Sequence, residues 1–230
     1  MINSNGFGAN YRYGQRINAD NKRLYEIDFA YIRDPKERRS ETGAQTMIVY
    51  GKKNLAFDFR FGYGKQHEKF RKHDIGGVAI RRFYNFGPSL VLMKPIFYDR
   101  IDVTTQTIYR SSKFDPMWYS NNHRIIGRSS FFDGFDRIRV VPGAFVKFGY
   151  NFEFGSHDRN IHALEAGLIA EGFIERLEIM DFTNLDLNQR YKTAQNRQFF
   201  LTIFLSYRFG KIVDPYEVRE RRERSREISY

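Results

Sequence analysis

The sequence contains no cysteine and only one tryptophan among its 230 residues. The lack of cysteine excludes a disulfide scaffold, a thiolate metal site and a cysteine nucleophile. No stretch approaches the roughly 18 consecutive apolar residues of a transmembrane helix. Residues 1–6 have neither the basic start nor the apolar core of a signal peptide. An exported protein would therefore need a signal that this sequence does not show.

Alternation of apolar and polar residues is the clearest pattern that is present. Within residues 201–210, one face carries Leu, Ile, Leu, Tyr and Phe, and the other carries Thr, Phe, Ser, Arg and Gly. A period of two places successive side chains on opposite faces of a β-strand. Aromatic residues make up 17% of the chain, with 23 Phe and 15 Tyr, and they favour strands and membrane interfaces.

The alternation predicts about eight strands. The first three alternate almost without fault, and each is about long enough to cross a bilayer at a tilt. The predicted strands cover residues 7–13, 24–33, 55–66, 77–84, 89–97, 143–154, 161–174 and 199–210.

The connections between these strands differ in length. A turn is predicted at Asn85–Pro88 and another at 155–160, whereas 98–142 and 175–198 are long connections. Short turns at one end and long loops at the other are typical of outer-membrane barrels. The connections 17–23 and 34–54 do not follow this order. The predicted fold is an all-β, antiparallel transmembrane β-barrel of about eight strands in residues 1–210, with long external loops. A charged periplasmic tail follows in 211–230, and both termini are periplasmic.

With the apolar faces outward, charges of both signs are left inside. Eight strands enclose a space that side chains can fill, and charges buried there must be paired. The interior is therefore predicted to hold an ion-pair network rather than an open pore. Its members are Glu26, Asp28, Asp58, Arg60, Lys147, Glu153, Glu165, Glu171 and Arg208, extended by Arg12 and Arg81.

Four short stretches carry a family resemblance: residues 8–14, 34–37, 49–54 and 87–90. They resemble small outer-membrane β-barrel proteins of the Bacteroidetes type, and the similarity covers most of residues 6–210. The resemblance implies an outer-membrane location and a barrel fold. It implies no activity and assigns no functional residue.

Catalytic and cofactor motifs are scarce. None of the five histidines has a second ligand at metal spacing, and no glycine pattern matches a nucleotide-binding loop. We expect neither a metal nor another cofactor, and no enzymatic activity. One alternative stays open, because Ser129 or Ser130 with His123 could serve a lipid-modifying outer-membrane hydrolase.

The long connection 98–142 is the predicted partner-binding loop, because aromatic residues stand there beside Arg and Asn. An equally open alternative is that these aromatics pack together over the barrel mouth. The candidate contact residues are Trp118, Tyr119, Arg124, Phe131, Phe132 and Phe135. The mixed charges of the tail favour a solvated, partly helical segment. The alternative is a second candidate docking site there, at Arg219, Arg221, Arg222, Arg224 and Arg226.

The expected partners are the outer-membrane bilayer and other envelope proteins. The net charge of +11 is scattered along the chain, and no nucleic-acid partner is expected. The predicted function is a non-enzymatic structural or accessory subunit of an envelope complex of the secretion or outer-membrane assembly type. The main alternative is a soluble lipocalin-like barrel whose Phe57, Phe59 and Phe61 line a cavity for a small apolar ligand.

Overall fold

The computed structural model describes residues 1–34, 37, 39–41, 47–49, 51–71, 77–115, 118, 122–154, 160–185, 191–193 and 196–213. Nearly all regular structure within these ranges is β-strand, and a short turn of 3-10 helix spans Phe135–Arg137. The strands are β1 (Ile2–Asn3), β2 (Gly6–Arg16), β3 (Asn21–Ile32), β4 (Arg39–Glu41), β5 (Met47–Val49), β6 (Asn54–Phe70), β7 (Ala79–Pro95), β8 (Phe97–Asp102), β9 (Ile108–Lys113), β10 (His123–Arg128), β11 (Arg139–Phe154), β12 (Asn160–Leu177), β13 (Phe182–Leu185), β14 (Tyr191–Thr193) and β15 (Arg197–Lys211).

Eight of these strands form one antiparallel sheet that closes into a ring, in the order β1, β15, β12, β11, β7, β6, β3, β2. The predicted all-β class and the number of strands in the ring are thereby confirmed. Seven of the eight are long, and β1 has only two residues. The ring closes because Ile2 pairs with Leu205 on one side and with Phe7 on the other.

The predicted turn at Asn85–Pro88 is wrong, because Gly87 and Pro88 lie inside the single long strand β7. Proline lacks the N–H that a central strand donates. The β6–β7 ladder accommodates this gap: pairing runs to Arg60 with Ser89, omits the next two positions, and resumes at Tyr63 with Phe86. The fourth and fifth predicted strands are therefore one strand.

This merger explains the connections that did not follow the predicted order. One end of the ring, the short-turn end, carries the connections 17–20, 71–78 and 155–159. The opposite end, the long-loop end, carries 33–53, 96–138 and 178–196. Short and long connections thus alternate from β2 to β15 without exception.

The long-loop end bears additional structure. The strands β8, β9 and β10 form a three-stranded sheet, which we call the cap. The cap packs through a cluster of four buried residues, Ile48, Ile96, Tyr98 and Trp118. The segment predicted as a loop therefore contains a small folded sheet.

Candidate functional site

The polar face of every long strand points into the ring interior. In β3, Glu26 and Asp28 are buried, whereas their neighbours Tyr25 and Ile27 are exposed on the outer surface. The period of two produces this separation, since adjacent side chains point to opposite faces. All nine predicted interior charges are buried or nearly so, and Arg12 and Arg81 lie beside them.

Glu26 is the centre of the largest ion-pair cluster. Its Oε1 atom accepts hydrogen bonds from Lys147 Nζ at 2.6 Å and from Arg208 Nη2 at 2.8 Å. Its Oε2 atom accepts one from Arg12 Nε at 2.8 Å. One carboxylate therefore gathers three cations from three other strands, β11, β15 and β2.

Glu165 and Asp28 also form ion pairs with these three cations. Glu165 accepts a hydrogen bond from Arg12 Nη1 at 2.6 Å and forms an ion pair with Arg208. Asp28 lies 2.8 Å from Lys147 Nζ. Buried charges of this kind are tolerated only when partners replace the lost water, and here each cation contacts two carboxylates.

A second cluster lies nearer the long-loop end. Arg60 donates two hydrogen bonds to Glu171, from Nε at 2.5 Å and from Nη2 at 2.9 Å. Asp58 lies 2.6 Å from the same Nη2 atom. The paired, planar geometry is the strong form of an arginine–carboxylate contact, and it joins β6 to β12 across the ring.

The third cluster lies at the short-turn end. Arg81 forms an ion pair with Glu153 and lies 3.6 Å from Glu68. Together the three clusters place opposite charges along the whole height of the ring.

Apolar side chains fill the space between the charges. Leu24, Phe83, Phe145, Ile169 and Phe204 form one buried cluster. The guanidinium of Arg12 lies 4.3 Å from the centre of the Phe83 ring. Alternation alone did not single out Phe83 or Phe204, because each is an aromatic residue on a predominantly polar face.

Amide side chains were also missed. Asn151 Nδ2 donates to Glu165 Oε1 at 2.8 Å, and Asn85 donates to Glu26. The inward position of Asn151 could have been read from the strand pattern, whereas Asn85 lay in the predicted turn. Only the register shows which carboxylate each one reaches. Lys52 was missed for a different reason, since it lies outside the long strands. It is buried and bonds Glu37 Oε1 at 2.5 Å and Tyr31 Oη at 2.7 Å.

The aromatic residues of the lipocalin-like alternative do not line the interior. Phe57, Phe59 and Phe61 lie on the outer face of β6, while Asp58 and Arg60 occupy its inner face. A cavity of about 660 Å³ does open, but it lies at the long-loop rim. Its lining includes Arg33, Lys52 and Arg128. Within the described residues, the lining of this cavity does not include Phe57, Phe59 or Phe61, which that alternative requires to line it.

The candidate partner loop is divided between core and surface. Trp118 is 7% exposed and packs against Phe114, with 5.7 Å between ring centroids. It is therefore a core residue of the cap rather than an exposed contact. Arg124 is exposed, and Tyr119 lies outside the described residues. The tail residues Arg219, Arg221, Arg222, Arg224 and Arg226 also lie outside them.

Three phenylalanines of the candidate loop remain at the surface. Phe131, Phe132 and Phe135 are exposed and contact one another, with ring centroids 5.6 to 6.1 Å apart. Lys94 Nζ lies 5.0 Å from the Phe131 ring. We call these three residues the phenylalanine patch.

The candidate hydrolase residues do not come together. His123 pairs with Asp102 at one end of the β8–β10 ladder. Ser129 and Ser130 follow the other end, where Ser129 Oγ donates to Asp99 Oδ1 at 2.5 Å. Six residues of extended chain span roughly 20 Å, so His123 cannot take a proton from Ser129.

Two searches over the described part of the chain gave negative results. No cluster of three or more His, Asp or Glu residues there is arranged to hold a metal ion. No helix within those residues is both long enough and apolar enough to cross a membrane. Comparison of the chain with protein-family models, with curated proteins and with solved structures found no match.

Proposed function

We propose that this protein is a small transmembrane β-barrel of a bacterial outer membrane. The observation that carries the proposal is the distribution of side chains, because apolar residues cover the outside of the ring and charged residues lie inside it. Outward residues such as Ile203 and Phe209 are 64% and 75% exposed, while Glu26, Arg60 and Lys147 are buried inside. An apolar surface of this extent is rare on a monomer in water. A hydrocarbon surrounding accounts for both faces together.

Strand length supports the same proposal. The strands β6, β7, β11, β12 and β15 have 17, 17, 16, 18 and 15 residues. A tilted strand needs about 9–11 residues to cross a bilayer. Each strand is therefore long enough to span the hydrocarbon, with residues left for the two interfaces.

Aromatic residues also form a row across adjacent strands. Tyr13 pairs with Tyr25, Tyr25 with Tyr63, and Tyr63 with Phe86. Their ring centroids are 5.6 to 6.4 Å apart, and the side chains point outward. Rows of this kind are typical of the membrane–water interface of outer-membrane barrels. The short-turn end would then face the periplasm and the long-loop end the exterior.

We further propose a non-enzymatic, structural or accessory role in an envelope complex of the secretion or outer-membrane assembly type. The interior is occupied by paired charges and aromatic rings, which supports a plugged barrel rather than a channel. The phenylalanine patch supplies an exposed contact surface at the long-loop end. The Bacteroidetes resemblance of the sequence supports the outer-membrane location.

The experiment is membrane fractionation followed by electrophoresis of boiled and unboiled samples. We expect the protein in the outer-membrane fraction and a faster band without boiling. Phe59→Arg should abolish the faster band, because arginine in the lipid-facing belt costs about 2–4 kcal/mol. Phe59→Leu is the matched control and should retain it. A chain that stays in solution without detergent and tolerates Phe59→Arg would overturn the proposal.

A further inference from the structure

The ring is closed over only part of its height. Beyond Leu205 on β15 and beyond Gly8 on β2, no strand of the described residues pairs with either edge. The two edges run on to Lys211 and Arg16. They enclose a slot between β2 and β15, at the short-turn end of the ring, that none of the described strands fills.

Within the described part of the chain, the backbone along this slot has no ladder partners. Gly8 N–H donates to Met1 O at 2.9 Å, and Ser4 N–H donates to Ile203 O at 2.9 Å. Every second residue of an antiparallel strand turns its polar groups to the same side. The groups that face the slot therefore belong to Asn10 and Arg12 on β2 and to Tyr207 and Phe209 on β15.

Side-chain exposure marks the same slot. Tyr11, next to it, is 69% exposed, whereas Tyr25 in the closed part of the ring is 43% exposed. Inward residues at the slot are only partly buried, as Asn10 and Arg208 show, whereas Glu26 on β3 is fully covered. Both faces of the sheet thus lack one strand's side chains at this place.

We propose that the slot is filled by an eighth full strand, the continuation of β1 on the amino side of Met1. The strand β1 already lies between the two edges and its amino end points into the open part. In an antiparallel ladder, one step back on β1 is one step forward on each neighbour. The residue before Met1 therefore lies between Ala9 and Tyr207, and eight residues reach Arg16.

The register also determines the chemistry of this strand. Met1 packs inward against the apolar interior cluster, so the residue before it faces outward. The first, third, fifth and seventh positions before Met1 are therefore apolar. The second and fourth lie beside Arg208 and Arg12, whose carboxylate partners are already in place, and these positions take small or hydroxyl side chains.

Other strands fit the slot less well. The charged segment 214–230 does not alternate apolar with polar residues, and Arg219, Glu220, Arg221 and Arg222 are consecutive. An outward face of such residues does not continue the apolar belt. A second copy of the chain would have to bring a free edge of its own, and open edges invite that pairing.

Mass spectrometry of the protein from its source cells is the first test. We expect a mature polypeptide heavier than 27.4 kDa, with at least about eight alternating residues before Met1, the number the ladder register sets. A mature amino terminus at Met1 would overturn the proposal. This result is independent of the membrane proposal. The gap between β2 and β15 needs a strand whether the outer surface of the ring meets lipid or water.

Hydrogen exchange is the second test. The full chain is prepared with the extension Ser-Val-Thr-Val-Ser-Val-Gly-Val before Met1. The control carries the same residues moved by one position, Val-Ser-Val-Thr-Val-Ser-Val-Gly, which turns every valine inward. We expect the amides of Asn10, Arg12, Tyr207 and Phe209 to exchange at least about tenfold more slowly with the first extension only.

Two outcomes of this test count against the proposal. Equal exchange with both extensions would show that the slot does not take a strand in this register. Protection of the same amides in the chain without an extension, together with a dimeric mass, would show that a second copy fills the slot. Failure here would leave the fractionation result unchanged, so the two proposals are tested separately.

Discussion

Lys147 and Glu26 meet inside the ring, with 2.6 Å between Nζ and Oε1. The two residues are 121 positions apart in the sequence, and their strands, β11 and β3, are three steps apart in the ring order. This ion pair cannot form until β3, β6, β7 and β11 are assembled. It therefore depends on the assembly of four neighbouring strands and not on any single hairpin.

Lys147→Met tests the energetic role of this pair. The substitution preserves much of the side-chain volume but leaves Asp28 without its ion pair and Glu26 with one cation fewer. Removing one partner of a buried ion pair costs about 3–5 kcal/mol. We expect a loss of stability in this range in urea unfolding of the detergent-solubilised protein, followed by heat-dependent gel mobility.

Two further variants make this result specific. Lys113→Met removes an exposed lysine of the cap and should change stability by less than about 0.5 kcal/mol. Asp28→Asn added to Lys147→Met should recover part of the loss, because the unpaired carboxylate is gone. Equal losses in Lys147→Met and Lys113→Met would contradict the buried role.

The sequence alone predicted the inward charges because the period of two is a local property. It did not predict their pairing, which depends on the register of distant strands. Arg12, for example, reaches both Glu26 on β3 and Glu165 on β12. A list of inward residues contains both carboxylates but does not indicate that they share this arginine.

The error at Gly87–Pro88 has a similar origin. Glycine next to proline favours a turn in most local contexts. Here, pairing of β7 with its neighbouring strands determines the extended conformation of these residues. A Cβ atom at Gly87 would lie 2.0 Å from the carbonyl oxygen of Phe61. The glycine is therefore needed for the close approach of two strands and not for a turn.

Gly87→Ala should accordingly destabilise the protein by about 1–3 kcal/mol, since β6 and β7 must move apart. Gly14→Ala is the matched control, because its nearest atom, Leu24 Cδ2, would be 3.7 Å from the new Cβ. The midpoints of urea unfolding of the two variants are the measurement. If residues 85–88 formed a turn, Gly87→Ala would be as well tolerated as Gly14→Ala.

The cap shows the limit of composition-based reasoning. Trp118, Phe131 and Phe132 belong to one aromatic-rich segment, and no local pattern separates them. Trp118 is buried because the segment folds against Ile48 from a distant connection, whereas Phe131 and Phe132 remain exposed. The partition follows from tertiary packing and not from residue type.

Tyr98 in the cap provides a prediction on pH. Its hydroxyl donates to Lys52 O at 2.8 Å, and burial raises the pKa of Tyr98 to about 12. An unfolded tyrosine has a pKa near 10. The folded state thus keeps a proton that the unfolded state releases, so this contribution to stability is complete below about pH 10 and is lost between about pH 10 and 12.

Tyr98→Phe removes this titration. We expect it to cost about 1 kcal/mol at neutral pH through the lost hydrogen bond. The difference between the two proteins should narrow above about pH 10. Hydrogen exchange of the cap amides at several pH values is the measurement. A difference in stability between the two proteins that stays constant from pH 7 to pH 12 would contradict the raised pKa of Tyr98.

Phe132→Ser tests the phenylalanine patch as a partner contact. Phe132 is 78% exposed and stacks on Phe135, so its loss should leave folding almost unchanged. Exposed aromatic residues that become buried in a complex often contribute 2 kcal/mol or more, which corresponds to about thirtyfold in affinity. We expect the proteins that co-purify after gentle detergent extraction, quantified by mass spectrometry, to fall by at least about tenfold on this estimate. Phe70→Ser is the control, since Phe70 is also exposed but lies at the short-turn end. Unchanged recovery with Phe132→Ser, or an equal fall with Phe70→Ser, would rule out the patch as the docking site.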